Sequence, residues 1–440
     1  MLSLTGCFII VSVVGFLLSG KGLPIIALVL APLVGALLAG FSMAEIGAFY
    51  TEGGAKVIPV ATMFVFAIIF FGIMQDVGMF RPVVQTMIRL TQGNVVTVTI
   101  GTALLGMLAH LDGAGATTFL LTVPALLPLY RRMGMNPYLM LMLLALGAGI
   151  TNMTPWAGPL GRASAATGLE VGALWRPLIA IQLIGAALLV GLAAVLGLRE
   201  RHRIALSPAS GLPASVAHMP KVPDDADMTC RTPYRSARFW LNGLTFAAVV
   251  ATLIVGILPA AYVFMLGVSV ALLVNYPSVS EQVECVKRHA PNAIMMAAII
   301  MAAGAFLGIL ASSGMLQAMS HDLVRLLPNA VLPHLHLVLG GLGIPMELVL
   351  NTDAYYLGLL PVVQHIVAPY GVSASTTIYA LMIGNIVGTF ISPFSPALWL
   401  ALGLAGLEMG RHIRYSIGWM WGFSIVLMMV AALMGIIPLS

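Results

Sequence analysis

Apolar stretches long enough to cross a lipid bilayer recur along almost the whole chain. They lie near residues 2–18, 23–41, 57–74, 137–170, 174–198, 239–256, 258–275, 291–312, 372–407 and 415–437. A bilayer core takes about 20 residues of helix, and without water to satisfy backbone polar groups such segments must be helical. The 440 residues are 60% hydrophobic and 8% charged, with a mean hydropathy of +1.03. A water-soluble domain of this size needs far more charged surface. The chain therefore reads as an all-α integral membrane protein of about ten transmembrane helices. The first stretch has no basic flank and no small-residue cleavage site, so it is expected to be a retained helix.

Two spans, 137–170 and 372–407, are too long for one straight crossing. Each is interrupted by a polar, Gly/Pro-rich stretch, ITNMTPWAGP at 150–159 and GNIVGTFISPFSP at 384–396, and each is expected to be a broken helix. Two further segments, about 94–130 and 331–370, carry polar residues at their centres, LDGAGATTFL at 111–120 and LNTDAYYLG at 350–358. These read as re-entrant hairpins. Irregular backbone at membrane depth is tolerated only where protein buries it or where it lines a wet cavity.

The 20 basic and 15 acidic residues give a net charge of +5, and most lie between the spans. They serve as topology signals, and nucleic-acid binding is not expected. If the polar stretch 199–238 faces the cytoplasm, alternating the spans puts 16 of the 20 basic residues on that side, with both termini outside. That stretch is rich in Pro, Ser and Ala and reads as a flexible cytoplasmic linker. The three cysteines, Cys7, Cys230 and Cys285, form no CxxC pair and show no zinc spacing, so neither a disulfide framework nor a structural metal is expected.

The linker separates two halves, 1–198 and 239–440, that resemble each other at an offset of about 236 residues. GIMQDVGMF at 72–80 aligns with GILASSGML at 308–316, Arg89 with Arg325, Pro24 with Pro259, MTPW at 153–156 with ISPF at 391–394, and Pro124 with Pro361. Each half has five crossings and one hairpin. An odd number of crossings inserts the second copy upside down, as in many secondary transporters. Segments 75–93 and 313–330, with Arg89 and Arg325 on apolar faces, read as helices lying in the interface.

The four interruptions carry the expected chemistry. Gly113 and Gly115 allow the first tip to turn, and Pro155, Pro159, Pro393 and Pro396 break hydrogen-bond ladders. Half-helix N-termini created there favour an anion, while freed carbonyls and the hydroxyls of Thr117, Thr118, Thr151, Thr154, Ser392 and Ser395 suit a cation. Ionisable residues inside the spans are few: Asp112 and Asp353 at the tips, Glu347 just before the second tip, and Arg162 after the first break. A charge at mid-bilayer costs at least about 2.5–3.5 kcal/mol, which makes such residues functional candidates. Asp112 and Asp353 suit proton coupling or a hard divalent cation, with capping of a half-helix as the plainer role. Arg162 suits a substrate carboxylate or a structural ion pair. Asn152 and Asn385 offer amide donors or tie loop backbone together. His110, Tyr355 and Tyr356 flank the tips and read as packing.

At these residues the chain resembles the CitMHS family of citrate–divalent-metal:proton symporters, within the ion-transporter superfamily. The resemblance covers nearly the whole length and rests on FGIMQDVGMF at 71–80, LDGAGATTFLLTVPALLPLYRRMGMNP at 111–137, NMTPWAGPLGRA at 152–163, NTDAYYLGLLP at 351–361 and SPFSPALWLALGLAGLEMG at 392–410. It implies a multi-pass bacterial inner-membrane protein, a homodimer with a central scaffold, and elevator-type alternating access. It further implies that Gly113, Gly115, Thr117, Thr118, Asn152, Thr154, Gly158, Arg162, Asn351, Thr352, Asn385, Ser392 and Ser395 contribute to substrate binding. Asp112, Asp353 and Thr151 would then serve the metal or the protons. The chain departs from the family pattern at Ala114, often acidic there, at Ala116, often serine, at Asn351-Thr352-Asp353, often Ser-Asn-Asp, and at Leu160, commonly threonine. The lost carboxylate bears on which metal is preferred.

Ion desolvation scales roughly with charge squared. A citrate trianion paired with one divalent cation of the Mg or Ca class therefore costs about a ninth as much to dehydrate. The metal is cargo, and no resident cofactor is expected. The main alternative keeps the scaffold and carries free di- or tricarboxylates with sodium or protons; a Na⁺/H⁺ exchanger is a more distant one. An enzyme is not expected, because there is no HExxH, no Ser/His dyad and no aspartate pair at helix-face spacing.

Overall fold

The computed structural model describes residues 2–19, 22–79, 94–206, 237–326, 328 and 330–438, and these are helical with no strand among them. Among the described residues, the first half contains eight helices: α1 (Leu2–Ser19), α2 (Pro24–Leu38), α3 (Met43–Asp76), α4 (Val95–Ala109), α5 (Gly115–Arg132), α6 (Pro137–Thr151), α7 (Gly158–Thr167) and α8 (Val171–Ala205). The second half runs through α9 (Ala237–Val255), α10 (Ala260–Asn275), α11 (Val279–Ser312), α12 (Met315–Leu326), α13 (Leu335–Gly341) and α14 (Gly343–Glu347). A π-helical turn at Ala354–Leu359 then leads into α15 (Leu360–Val367), α16 (Ala374–Gly384), α17 (Pro396–Ala405) and α18 (Met409–Leu433). Five of these, α3, α8, α9, α11 and α18, are long and apolar enough to cross a membrane.

Both long spans are interrupted. Helix α6 ends at Thr151 and α7 starts at Gly158; α16 ends at Gly384 and α17 starts at Pro396, with a short 3-10 turn at Gly388–Phe390 between them. Proline accounts for the restarts, since its missing N–H is harmless in a first helical turn: Pro159 is the second residue of α7 and Pro396 the first of α17. Helices α4 and α5 form a hairpin around residues 110–114, where Gly113 turns the chain at φ +71°. The second hairpin rises through α13 and α14 and descends through the π-turn and α15.

The matched helices α3 and α11 are each 34 residues long. Ser42 and Ser278 cap their N-termini, each accepting from the backbone of a glutamate three residues on. Their mutual contacts come in swapped pairs. Ser312 donates to Glu52 (2.7 Å), and 236 residues away in each partner Arg288 donates to Asp76 (3.1 Å). Gly53 packs on Gly308, and the corresponding His289 packs on Gly72. Neighbouring helices follow suit: α2 lies on α11 and α10 on α3, while α4 packs on α6 and α13 on α16.

The expected spans at 57–74 and 291–312 are longer in the structure, because both helices continue through charged turns at Glu52, Lys56, Lys287 and Arg288, side chains that are largely exposed. The expected linker 199–238 also begins later: α8 runs to Ala205, since buried Glu200 accepts the Asn136 amide (2.6 Å) and pairs with Arg203 (2.7 Å). Of the two expected interfacial helices, α12 occupies the second and ends at Leu326. Residues 80–93, with Arg89, and 207–236 of the linker lie outside the described residues.

Candidate functional site

The four interruptions meet. Gly149, near the end of α6, lies against Ile386 and Val387, so the two breaks cross at close range; a Cβ on Gly149 would come 2.8 Å from the Ile386 carbonyl oxygen. The first tip touches both. Trp156 donates its indole N–H to the Leu111 carbonyl (2.7 Å), and its ring is held among Phe71, Trp175 and Phe264. Phe390, in the second break, packs edge-on against His110 and Phe119. Gly115 faces Ala397 and the same Phe390 ring.

Each tip is organised around one titratable side chain. At the first, buried His110 bonds Thr118 Oγ1 through Nδ1 (2.8 Å) and Asn152 Oδ1 through Nε2 (3.2 Å). At the second, buried Glu347 accepts from Thr352 Oγ1 (2.6 Å) and from Asn385 Nδ2 (3.0 Å). Asn152 and Asn385 occupy equivalent places, each the residue just after a half-helix, α6 and α16. Asn385 Oδ1 is buried without a hydrogen-bond partner. It points at Gly388, where any Cβ would collide with it. Buried acceptors left unpaired cost about 1–3 kcal/mol, and a bound ion or water is one way such a group is satisfied.

The aspartates sit differently. Asp112 accepts from the Ala114 N–H (2.9 Å) and from Thr117 Oγ1 (2.5 Å), both within its own tip. Asp353 reaches across to α7, where it takes the Arg162 Nε–H (2.5 Å); both side chains are nearly buried, at 14% and 12% exposure. Gly158 leaves room for the Arg162 guanidinium beside the first turn of α7.

The remaining expected residues are mostly engaged by nearby backbone. Thr151 donates to Met107 and Gly147 carbonyls, Thr154 to the Thr151 carbonyl, and Asn351 caps the Ala354 amide. Ser392 accepts from the Phe394 amide and Ser395 from that of Leu398. These side chains hold the breaks in shape. Thr352 also lies 3.3 Å from Thr389 Oγ1, a hydroxyl outside the expected set. His110, read from sequence as packing, is the chief residue outside that set; Glu347 is among the ionisable candidates of the sequence, with no binding role assigned there. Glu347 is legible as an acid in an apolar stretch, whereas nothing local distinguishes His110 from a packed histidine. Tyr355 is buried and donates to the Leu381 carbonyl (3.2 Å).

The arrangement brings three carboxyl groups and one guanidinium into four touching interruptions, with amide and hydroxyl groups of both polarities between them. Such a set suits an oxygen-rich anion carrying a hard cation.

Comparison with known proteins agrees on the family. The citrate transporter family model, CitMHS, matches residues 10–384. A citrate transporter of Bacillus subtilis is 35% identical over 437 residues, covering 99% of this chain and all of the relative. A Mg(2+)/citrate complex secondary transporter of the same organism is 32% identical over 447 residues, covering both chains fully. Among solved structures, the crystal structure of the Alcanivorax borkumensis YdaH transporter superposes with a TM-score of 0.61 over 90% of each chain at 16% identity, a likeness of fold. The chain belongs to the citrate transporter family. It is thus a multi-pass membrane transporter and not an enzyme.

Proposed function

We propose that this member of the citrate transporter family carries citrate as its complex with one divalent cation of the magnesium or calcium class, together with protons, across a bacterial inner membrane. The observation that carries this reading is the Glu347–Asn385–Thr352 cluster beside the Arg162–Asp353 pair. Among the described residues Arg162 is the one guanidinium bonded to these acids, and Asp353 takes it; Glu347 and Asp112 are held by neutral donors alone. A buried carboxylate without a counter-charge costs several kcal/mol. Fully buried Glu347 therefore needs a proton or a cation, and half-buried Asp112 is placed to take either. Free citrate would bring three more negative charges to the same place, whereas the metal complex brings one and presents a cation to the carboxylates. That a close relative is named for a Mg(2+)/citrate complex agrees with this.

In this scheme Arg162 exchanges Asp353 for a citrate carboxylate, with Gly158 and the first turn of α7 lining the approach. Asn152, Asn385 and Thr118 orient the remaining oxygens around the turn made by Gly113 and Gly115. Glu347, Asp112, Thr117 and Thr352 serve the metal or the protons.

The swapped contacts of α3 and α11 support two inverted repeats, because an inverted pseudo-twofold relation exchanges each contact for its partner 236 residues away. The two hairpins and two broken helices then form one movable unit against that scaffold, an elevator in a homodimer.

Uptake of labelled citrate into proteoliposomes tests the cargo. Uptake should rise with Mg²⁺ or Ca²⁺ and collapse in chelator; undiminished uptake in chelator rejects the metal complex in favour of free carboxylate transport.

A further inference from the structure

Away from the four interruptions, α3 and α11 bring together three side chains of a different chemistry. Asp76 closes α3; Cys285 and His289 stand four residues apart on one face of α11. One ligand atom from each lies within 4.8 Å of the others, and no second group of this kind occurs among the described residues. His289 Nε2 is 3.0 Å from Asp76 Oδ2. The sequence alone concealed this group, since Cys285 and His289 lack a familiar zinc pattern and the third member is 209 residues distant.

We propose that Asp76, Cys285 and His289 form a binding site for a borderline-soft divalent metal of the zinc class, separate from the transported cation. The donor set decides the class: thiolate and imidazole select zinc-like ions, whereas magnesium and calcium take oxygen alone. The size also fits. With Zn–N and Zn–O near 2.0–2.1 Å and Zn–S near 2.3 Å, a tetrahedral ion separates N from O by about 3.3 Å and S from N by about 3.5 Å. The His289–Asp76 edge is already close to this, and from a separation of at most 4.8 Å the thiol has to close in by no more than about 1.3 Å. On binding, Cys285 gives up its thiol proton to solvent and the sulfur becomes the ligand. The His289 and Asp76 side chains are 15% and 18% exposed, which leaves an entry path and a fourth position for water. Arg288, which also donates to Asp76 Oδ2 (3.1 Å), is half exposed and free to swing into solvent as the ion takes its place.

A second observation separates this group from ordinary helix packing. The equivalent crossing at the other end of α3 and α11 holds Phe49, Gly53 and Ser312 where Cys285, His289 and Asp76 stand here. There, Gly53 and Gly308 meet backbone to backbone. The helix pair can thus cross without any metal-ligating side chain. The end that carries one has Gly72 against the imidazole, where a Cβ would strike the ring.

The test uses the full chain, free of any histidine tag, purified in detergent with Cys7→Ser and Cys230→Ser so that Cys285 is the sole thiol. Titrated with Co²⁺, it should develop thiolate-to-cobalt charge-transfer absorption that saturates at one ion per chain and is reversed by Zn²⁺. Cys285→Ser should abolish the band. His289→Gln and Asp76→Asn should each weaken Co²⁺ binding by more than about 100-fold, beyond the roughly 10–100-fold cost of losing an outer-shell partner. Retained citrate uptake by the variants establishes that they fold. Absence of the band in the parent, or binding unchanged in His289→Gln and Asp76→Asn, overturns the proposal and leaves an ion-paired helix crossing.

Discussion

The two hairpin tips use the same plan with different chemistry. Each places a titratable side chain between a tip threonine and the asparagine that follows a half-helix: His110 with Thr118 and Asn152, Glu347 with Thr352 and Asn385. The first tip is closed on itself. Its aspartate, Asp112, is bonded by its own Thr117 and Ala114, and every polar atom of His110 has a partner. The second tip is open to exchange, because Asp353 is tied to Arg162 on another helix and Asn385 keeps an unsatisfied oxygen. The two tips thus share a geometry and a carboxyl group held by neutral donors, while the unsatisfied acceptor and the ion pair to another helix stand at the second. On this comparison we propose that the second tip senses cargo and the first supports it.

The largest effect is expected at the cross-element pair. Arg162→Gln leaves Asp353 buried without its cation, a loss of about 3–5 kcal/mol. Uptake should fall to background with a lowered melting temperature, and adding Asp353→Asn should recover the melting temperature but not uptake. Next, Glu347→Gln should cut initial uptake by about 100-fold, or about 2.7 kcal/mol, and remove its dependence on Mg²⁺. His110→Gln should cost about tenfold or less and leave the Mg²⁺ dependence intact; equal effects at the two sites would break the comparison. Gly388→Ala drives a methyl group into Asn385, and overpacking of this kind costs about 1–3 kcal/mol. It should raise the citrate concentration for half-maximal uptake by about tenfold at unchanged protein yield. The smallest change belongs to Asp112→Asn, which should lower uptake a few-fold and flatten its response to external pH while metal dependence persists.

Much of this framework was legible in the sequence because its signals are local. Proline and glycine mark where a helix must stop, and both breaks fall within the stretches 150–159 and 384–396. Hydropathy located the spans but not their ends, since charged turns such as Glu52 and Lys56 continue the helix past the apolar run. The same limit concealed the helical start of the stretch after residue 198, which depends on the contact of Glu200 with Asn136. What sequence could not supply is partnership across distance. Arg162 and Asp353 are 191 residues apart, and both a substrate carboxylate and an ion pair were open to Arg162. His110 differs from a core histidine through its bonds to Thr118 and to Asn152, the latter a neighbour in space and not in the chain. The hydroxyls of Thr151, Thr154 and Ser395 suit ligation by residue type, yet they bond backbone at the breaks, a use that only the folded chain reveals.

The central claim, that the four interruptions enclose one metal–citrate site biased toward the second tip, is tested most directly by a structure of the chain with Mg²⁺ and citrate bound. The account predicts density between the tips, with the metal beside Glu347 and Asn385 and a carboxylate on Arg162. Density lodged elsewhere, or between the tips with Glu347 and Arg162 both uninvolved, would contradict it.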